Sequence, residues 1–176
     1  MKKIFVWVVG LFVVGWASVS FAETAVVVIK GTAEGSPVSG KAVLKDTAEG
    51  LRVTAEVSGV SPGKHGFHIH QFGACGDSGK AAGGHFNPDA VTHGFLPQDG
   101  FLKAHAGDLG NIEVASDGTG KYEVMIHGLS LSGGKYSVGG RSIVLHEKED
   151  DFGQPLGNAG ARIGCGGIFI SESGEV

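Results

Sequence analysis

A chain of 176 residues carrying a formal net charge of −4 has room for one domain with a sizeable core. Fourteen Lys and Arg against eighteen Asp and Glu leave no basic patch, which argues against a nucleic-acid binder. Any anionic substrate must be drawn in by a local field rather than by the overall charge.

The first 22 residues read as a secretory leader. Lys2 and Lys3 make a positive start, Ile4 to Val14 is apolar apart from Gly10, and Ser20-Phe21-Ala22 is a small-x-small cleavage site. The apolar run is close to the length of a membrane anchor, but the cleavage site and the missing basic flank favour removal, with the mature domain spanning 23–176. No Cys follows the run to carry a lipid.

After the leader, short apolar stretches alternate with glycine-rich turns, the pattern of an all-β sandwich or barrel. Strands are expected over Thr24 to Lys30 and Ser39 to Asp46. A third begins at Leu51, where Leu51, Val53, Ala55 and Val57 alternate with polar residues, the mark of a half-buried strand. Ser61-Pro62-Gly63 then breaks the chain before Gly66-Phe67-His68-Ile69-His70. In an extended strand His68 and His70 share one face, while Phe67 and Ile69 share the other. Leu109 to Ala115 and Lys121 to Ile126 read as a hairpin about Ser116-Asp117-Gly118-Thr119-Gly120. Gly128 to Gly140 is a crossover suited to a Greek key. Arg141 to Leu145 leads into His146, and Ile163 to Ile170 closes the fold. The expectation is eight strands, two long loops and no helix.

The first long loop, from Gln71 to Asp108, lacks periodicity, and a loop of that length in a compact domain needs a function. It holds Cys75, His85, His93, His105 and Asp108. Three imidazoles and a carboxylate suit a closed four-coordinate zinc site. His68, His70 and His146 are three more imidazoles, a set suited to copper. A lone His-x-His is weak evidence; seven of the eight histidines lying in or beside metal-like groupings is strong. Cys75 and Cys165 are the only cysteines. In an exported chain the pair reads as a disulfide, with two free buried thiols as the alternative.

Five stretches together carry a family resemblance: Gly66-Phe67-His68-Ile69-His70, Gly84-His85-Phe86-Asn87-Pro88, His105-Ala106-Gly107-Asp108-Leu109-Gly110-Asn111, Val144-Leu145-His146-Glu147-Lys148, and Gly157 through Gly166. In this order the chain resembles the copper/zinc superoxide dismutases, specifically the secreted bacterial kind. The resemblance implies an eight-stranded Greek-key β-barrel or sandwich, immunoglobulin-like, with two long functional loops and one disulfide. It implies one copper on His68, His70, His85 and His146, and one zinc on His85, His93, His105 and Asp108, with His85 shared as a bridging imidazolate. Arg162 matches the guanidinium that docks superoxide, and Asp150 the carboxylate that accepts hydrogen bonds from one copper-side and one zinc-side histidine. Cys75 and Cys165 match the disulfide. The implied activity is disproportionation of superoxide to O₂ and H₂O₂ outside the cytoplasm, in a periplasmic or secreted protein. No stable membrane association is expected after the leader is removed, and the assembly is expected to be a monomer or homodimer.

The chain also departs from the family pattern. The second loop, Glu147 to Arg162, is short and lacks the charged cluster of eukaryotic relatives. Leu156 stands where many relatives carry a threonine. Lys80, Lys103 and Lys148 are the remaining cations to consider for steering. His65 and His127 read as structural or surface histidines. The competing reading is a non-catalytic copper/zinc buffer or delivery protein of the same fold, which would be expected to lack a copper ligand or the arginine. A copper-only enzyme would lack zinc ligands, and a zinc hydrolase would need an open zinc position and a base.

Overall fold

Alternation of apolar side chains builds the sheet. In the computed structural model, which describes residues 22–171, Leu51, Val53, Ala55 and Val57 are buried and the residues between them are exposed or half-exposed. The leader expected over 1–22 falls, apart from Ala22, outside the described residues. The strands are β1 Thr24–Gly31, β2 Ser39–Thr47, β3 Gly50–Ser58, β4 Gly63–His70, β5 Asp108–Val114, β6 Gly120–Ile126, β7 Ser142–His146, β8 Arg162–Gly167 and the short β9 Ile170–Ser171. All pair antiparallel in the order β2-β3-β6-β5-β4-β7-β8-β1, and β1 pairs with β2 to close an eight-stranded barrel. Closure leaves no free edge among these eight strands. Inside lie Leu44, Leu51, Phe67, Ile69, Ile112 and Leu145, each with no exposed surface. Burying each contributes about 1.5–3 kcal/mol relative to exposure.

Two expectations need correction. The closing strand is not continuous from Ile163 to Ile170, because Ile168 leaves the ladder. Its N–H donates to the Arg141 carbonyl and its own carbonyl accepts from Gly140, so it pairs with the chain entering β7. Residues 170–171 then rejoin β1 as β9. The first long loop is also not devoid of regular structure. It holds a 3₁₀ turn, Lys80–Ala82, and a four-residue helix α1, Leu96–Asp99, opened by Pro97 in its first turn. Among the described residues no helix is long and apolar enough to cross a membrane.

The site sits where three segments meet against the β4–β7 pair. β4 and β7 pair directly, His68 opposite Val144 and His70 opposite Ser142. The register of β4 on β5 shifts between Gly66 and His68. This bulge lets the strand leave the β5 ladder and turn His68 and His70 toward the loop. His85 then pairs with His70 as an isolated bridge. A three-way junction of main chain secures the loop: Phe86 N–H donates to Ile69 O, Gly107 N–H to Phe86 O, and Ile69 N–H to Gly107 O, each at 2.9 Å. Only glycine fits at 107, because a Cβ there would overlap the Ile69 carbonyl oxygen.

The disulfide is formed. Cys75 and Cys165 have Cα atoms 5.7 Å apart and close a sequence separation of 90 residues. On the chain-entropy account this linkage contributes about 4–5 kcal/mol. It pins the start of the first long loop to β8.

Candidate metal centre

Seven of the predicted residues converge in two groups. His68, His70, His85 and His146 form one, and His85, His93, His105 and Asp108 form the other; all are buried, and His85 belongs to both. The His68 and His85 ring centroids lie 4.2 Å apart.

The hydrogen bonds assign each ring a free nitrogen. His68 donates from Nε2 to Asp150 Oδ2 at 2.8 Å, and its Nδ1 is buried with no hydrogen-bond partner. His70 donates from Nδ1 to the Gly83 carbonyl at 3.0 Å, and His146 from Nδ1 to the Gly160 carbonyl at 3.4 Å. Their Nε2 atoms face each other 3.3 Å apart. His93 donates from Nε2 to Asp150 Oδ1 at 2.9 Å. Its Nδ1 lies 2.9 Å from Asp108 Oδ2 yet is not aligned for a hydrogen bond. His85 Nδ1 lies 2.8 Å from Asp108 Oδ1 and 3.4 Å from His105 Nδ1, which leaves Nε2 of His85 for the other group.

These spacings fit metal ions. Four ligands at zinc–nitrogen distances of about 2.0–2.1 Å in a tetrahedron stand about 3.3–3.4 Å apart, the separation seen for the facing imidazole nitrogens. A buried, unpartnered nitrogen costs about 1–3 kcal/mol, and the Nδ1 atoms of His68 and His93 each face the ligand cluster in that state. A cation satisfies both. The all-nitrogen group suits copper, and the His₃Asp group suits zinc.

The charge states of His70, His85 and His146 fit the same use. His70 is pushed down to about 2, His146 to about 3 and His85 to about 4. Burial is the largest cause in each; neighbouring rings add to it, and for His85 the Asp108 carboxylate opposes it. These rings are therefore neutral, with a lone pair available. Burial also opposes charge on His93, but Asp108 and Asp150 outweigh it and push this ring up to about 9. For both carboxyls burial acts to raise the pKa, yet hydrogen bonds from the surrounding imidazoles hold them below the ordinary carboxylate range.

Arg162 lines a cavity of about 320 Å³ together with His70, His85, His146, Pro155 and Leu156. Its guanidinium is fixed by two hydrogen bonds, Nη1 to Gly79 O and Nη2 to Gly83 O, both 2.6 Å. The Gly83 carbonyl thus holds both this cation and His70. Leu156, 47% exposed, forms part of the mouth. His65 stands apart from the metal groups: its ring bonds the carbonyls of His146 (3.0 Å) and Ser61 (2.8 Å). His127 is exposed and bonds the Glu49 carbonyl, as expected of a structural or surface residue.

Two supporting residues escaped the sequence reading. Asn111 clamps Asp150 through both its main-chain groups, Nδ2 to O at 2.9 Å and N–H to Oδ1 at 2.8 Å. Gln154 does the same for His93, at 2.8 and 3.1 Å. The Asp150 and His93 main chains are thereby held to partners 39 and 61 residues away, and nothing local marks an amide for that work.

A Greek-key barrel bearing two buried ligand groups that share one imidazole, with an arginine-lined cavity beside one of them, is the arrangement of a dinuclear metalloprotein. The family profile for copper/zinc superoxide dismutase matches residues 38–168. An extracellular Cu-Zn superoxide dismutase of Caenorhabditis elegans is 46% identical over 129 residues, covering 69% of this chain and 57% of that protein. A Cu-Zn superoxide dismutase of Onchocerca volvulus is 42% identical over 151 residues, covering 79% of this chain and 93% of that one. The crystal structure of the clock protein EA4 superposes with a TM-score of 0.75 at 31% identity, covering 89% of this chain and 100% of the other. The chain belongs to the copper/zinc superoxide dismutase family. It spans little more than half the length of the C. elegans relative.

Proposed function

We propose that this protein is an exported copper/zinc superoxide dismutase, in which His68, His70, His85 and His146 hold copper and His85, His93, His105 and Asp108 hold zinc. When bound, copper supplies a one-electron couple between Cu(II) and Cu(I), by which two superoxide anions and two protons become O₂ and H₂O₂. The chain's own residues do the rest. Arg162 stays charged at any working pH and draws the anion into a cavity that no other Lys or Arg lines among the described residues. His85 holds the two metal positions together, and its Nε2 is the atom at which a proton is taken up and given back. Asp150 bonds both His68 and His93, fixing which ring nitrogen faces each metal.

The observation that carries this reading is the placement of a rigidly held cation in the same cavity as three imidazoles of the copper group. A copper buffer has no use for Arg162 there, so the enzyme is favoured over the delivery protein. The form of the leader and the extracellular relative support export, to a periplasm or beyond the cell. The mature exported protein is expected to begin at Glu23, which mass measurement of its N-terminal peptide checks.

The central test is disproportionation by the purified mature protein loaded with copper and zinc, compared with His146→Ala. Copper-dependent activity in the wild type and its loss in the variant is the expected result. Bound copper without disproportionation in the wild type would instead make the buffer reading the better one.

A further inference from the structure

We infer that Arg141 is a positioning residue for the shared imidazole, a staple that holds the His85 segment against the end of β4. The inference rests on reading His85 as the ligand common to both metals.

His85 lies on no long strand. Its segment is docked on the N-terminal side through the Gly83 carbonyl, held by His70 and Arg162, and the Gln71 N–H to Gly84 O bond at 2.9 Å, and on the C-terminal side through the bridge of His85 to His70 and the junction at Phe86. The Phe86 ring is 3% exposed. The Arg141 guanidinium covers this ring, its carbon 3.5 Å from the ring centroid. The same guanidinium donates from Nη1 to the Gln71 carbonyl and from Nε to the Ser137 carbonyl, both at 2.9 Å. No carboxylate lies within ion-pair distance of Arg141 among the described residues, so the aromatic face and the two carbonyls are what hold it. A planar guanidinium can stack on a ring and hydrogen-bond in its own plane at once; an ammonium cannot.

Position explains the consequence. Gln71 follows His70, Phe86 follows His85, and Arg141 immediately precedes β7, which ends at His146. One side chain therefore ties together the three segments whose imidazoles line the anion cavity. Phe86 is also bonded to Ile69, between His68 and His70, and to Gly107, between His105 and Asp108. A shift of Phe86 moves the His85 ring relative to both ligand groups together.

The test uses the full mature protein loaded with Cu(II) and zinc: wild type, Arg141→Met, Arg141→Lys, and Leu51→Ala as a destabilised control far from the site. The readouts are the Cu(II) electron paramagnetic resonance and visible spectra and the rate of copper release to a chelator. Arg141→Met is expected to shift both spectra and to release copper roughly tenfold faster. Arg141→Lys, which keeps the charge but not the stacked fork, falls between. Leu51→Ala lowers the Tm and leaves the spectra unchanged. A native spectrum and native release rate in Arg141→Met would overturn the proposal. Should that variant fail to fold, Arg141→Lys decides in the same way, a shifted spectrum supporting the staple and a native one overturning it. A wild-type copper spectrum indifferent to zinc would mean that His85 is not shared, which is failure of the underlying reading rather than of the staple.

Discussion

Asp150 is the residue on which both ligand groups lean. It accepts from His68 and His93 with different oxygens, which a carboxylate can do and a carboxamide cannot, because one of the two positions becomes an N–H donor. Asp150→Asn is therefore expected to weaken metal binding about 10–100-fold, read by competition with chromophoric chelators for copper and zinc separately. Unchanged affinity for both metals would mean that the imidazoles orient themselves. Arg162 acts differently, since it touches neither group of ligand nitrogens. Arg162→Ala should keep its metals and lose roughly tenfold or more in kcat/KM. The decline of kcat/KM with added salt should flatten as well, because the cavity has lost the only Lys or Arg among the described residues that line it. A steep salt dependence surviving in the variant would place the steering charge elsewhere, with Lys80, Lys103 and Lys148 the residues to examine.

At the scale of elements, the main-chain junction of β4, the Phe86 segment and the turn at Gly107 links the segments that carry the two candidate ligand groups. Gly107→Ala pushes a methyl group into the Ile69 carbonyl, and the junction must open to admit it. Destabilisation of about 3 kcal/mol is expected, seen as a Tm lower by roughly 6–12 °C. A Tm within about a degree of wild type would show that the junction yields without cost. These elements differ in how far the sequence announces them. β3 is legible residue by residue because its two faces meet different surroundings, core and water. The ligand residues are legible because metal chemistry restricts the side chains that can serve. Helix α1 is not: four residues opened by Phe95-Leu96-Pro97 carry no helical period, and what holds the turn is main chain, Asp99 N–H to Phe95 O at 2.8 Å and Gly100 N–H to Leu96 O at 3.0 Å. Arg141, Asn111 and Gln154 are illegible for a related reason. Each acts on main-chain carbonyls or N–H groups, which every residue possesses, so the partner leaves no mark in the sequence.

For the whole molecule, metal and fold share one free energy. Any ion that binds the native chain alone stabilises it by about 2.7 kcal/mol at a hundredfold excess over its Kd. Two such ions contribute about 5 kcal/mol, so stripping both with a chelator should lower the Tm by roughly 10–20 °C. Zinc alone is expected to restore part of the difference, because on the proposed assignment its ligands lie within residues 85–108, whereas those proposed for copper lie on β4, His85 and β7. Scanning calorimetry of the metal-free, zinc-only and fully loaded protein resolves the steps; a metal-free Tm equal to the loaded one would mean that barrel and disulfide alone suffice.

The barrel is closed by β8, which pairs with β7 on one side and β1 on the other, and β8 carries both Arg162 and Cys165. Every imidazole of the two metal groups precedes it in the chain. During synthesis, then, all the metal ligands emerge from the ribosome before the strand that completes the sheet, the cysteine that locks the loop and the cation that admits the anion. A polypeptide interrupted between His146 and Arg162 would carry the whole ligand set on an open barrel and could collect copper with no control over what reached it. In this topology the ligand set is complete before the sheet is, so closure by β8 is the step that brings the cation and the disulfide cysteine to ligands already in place.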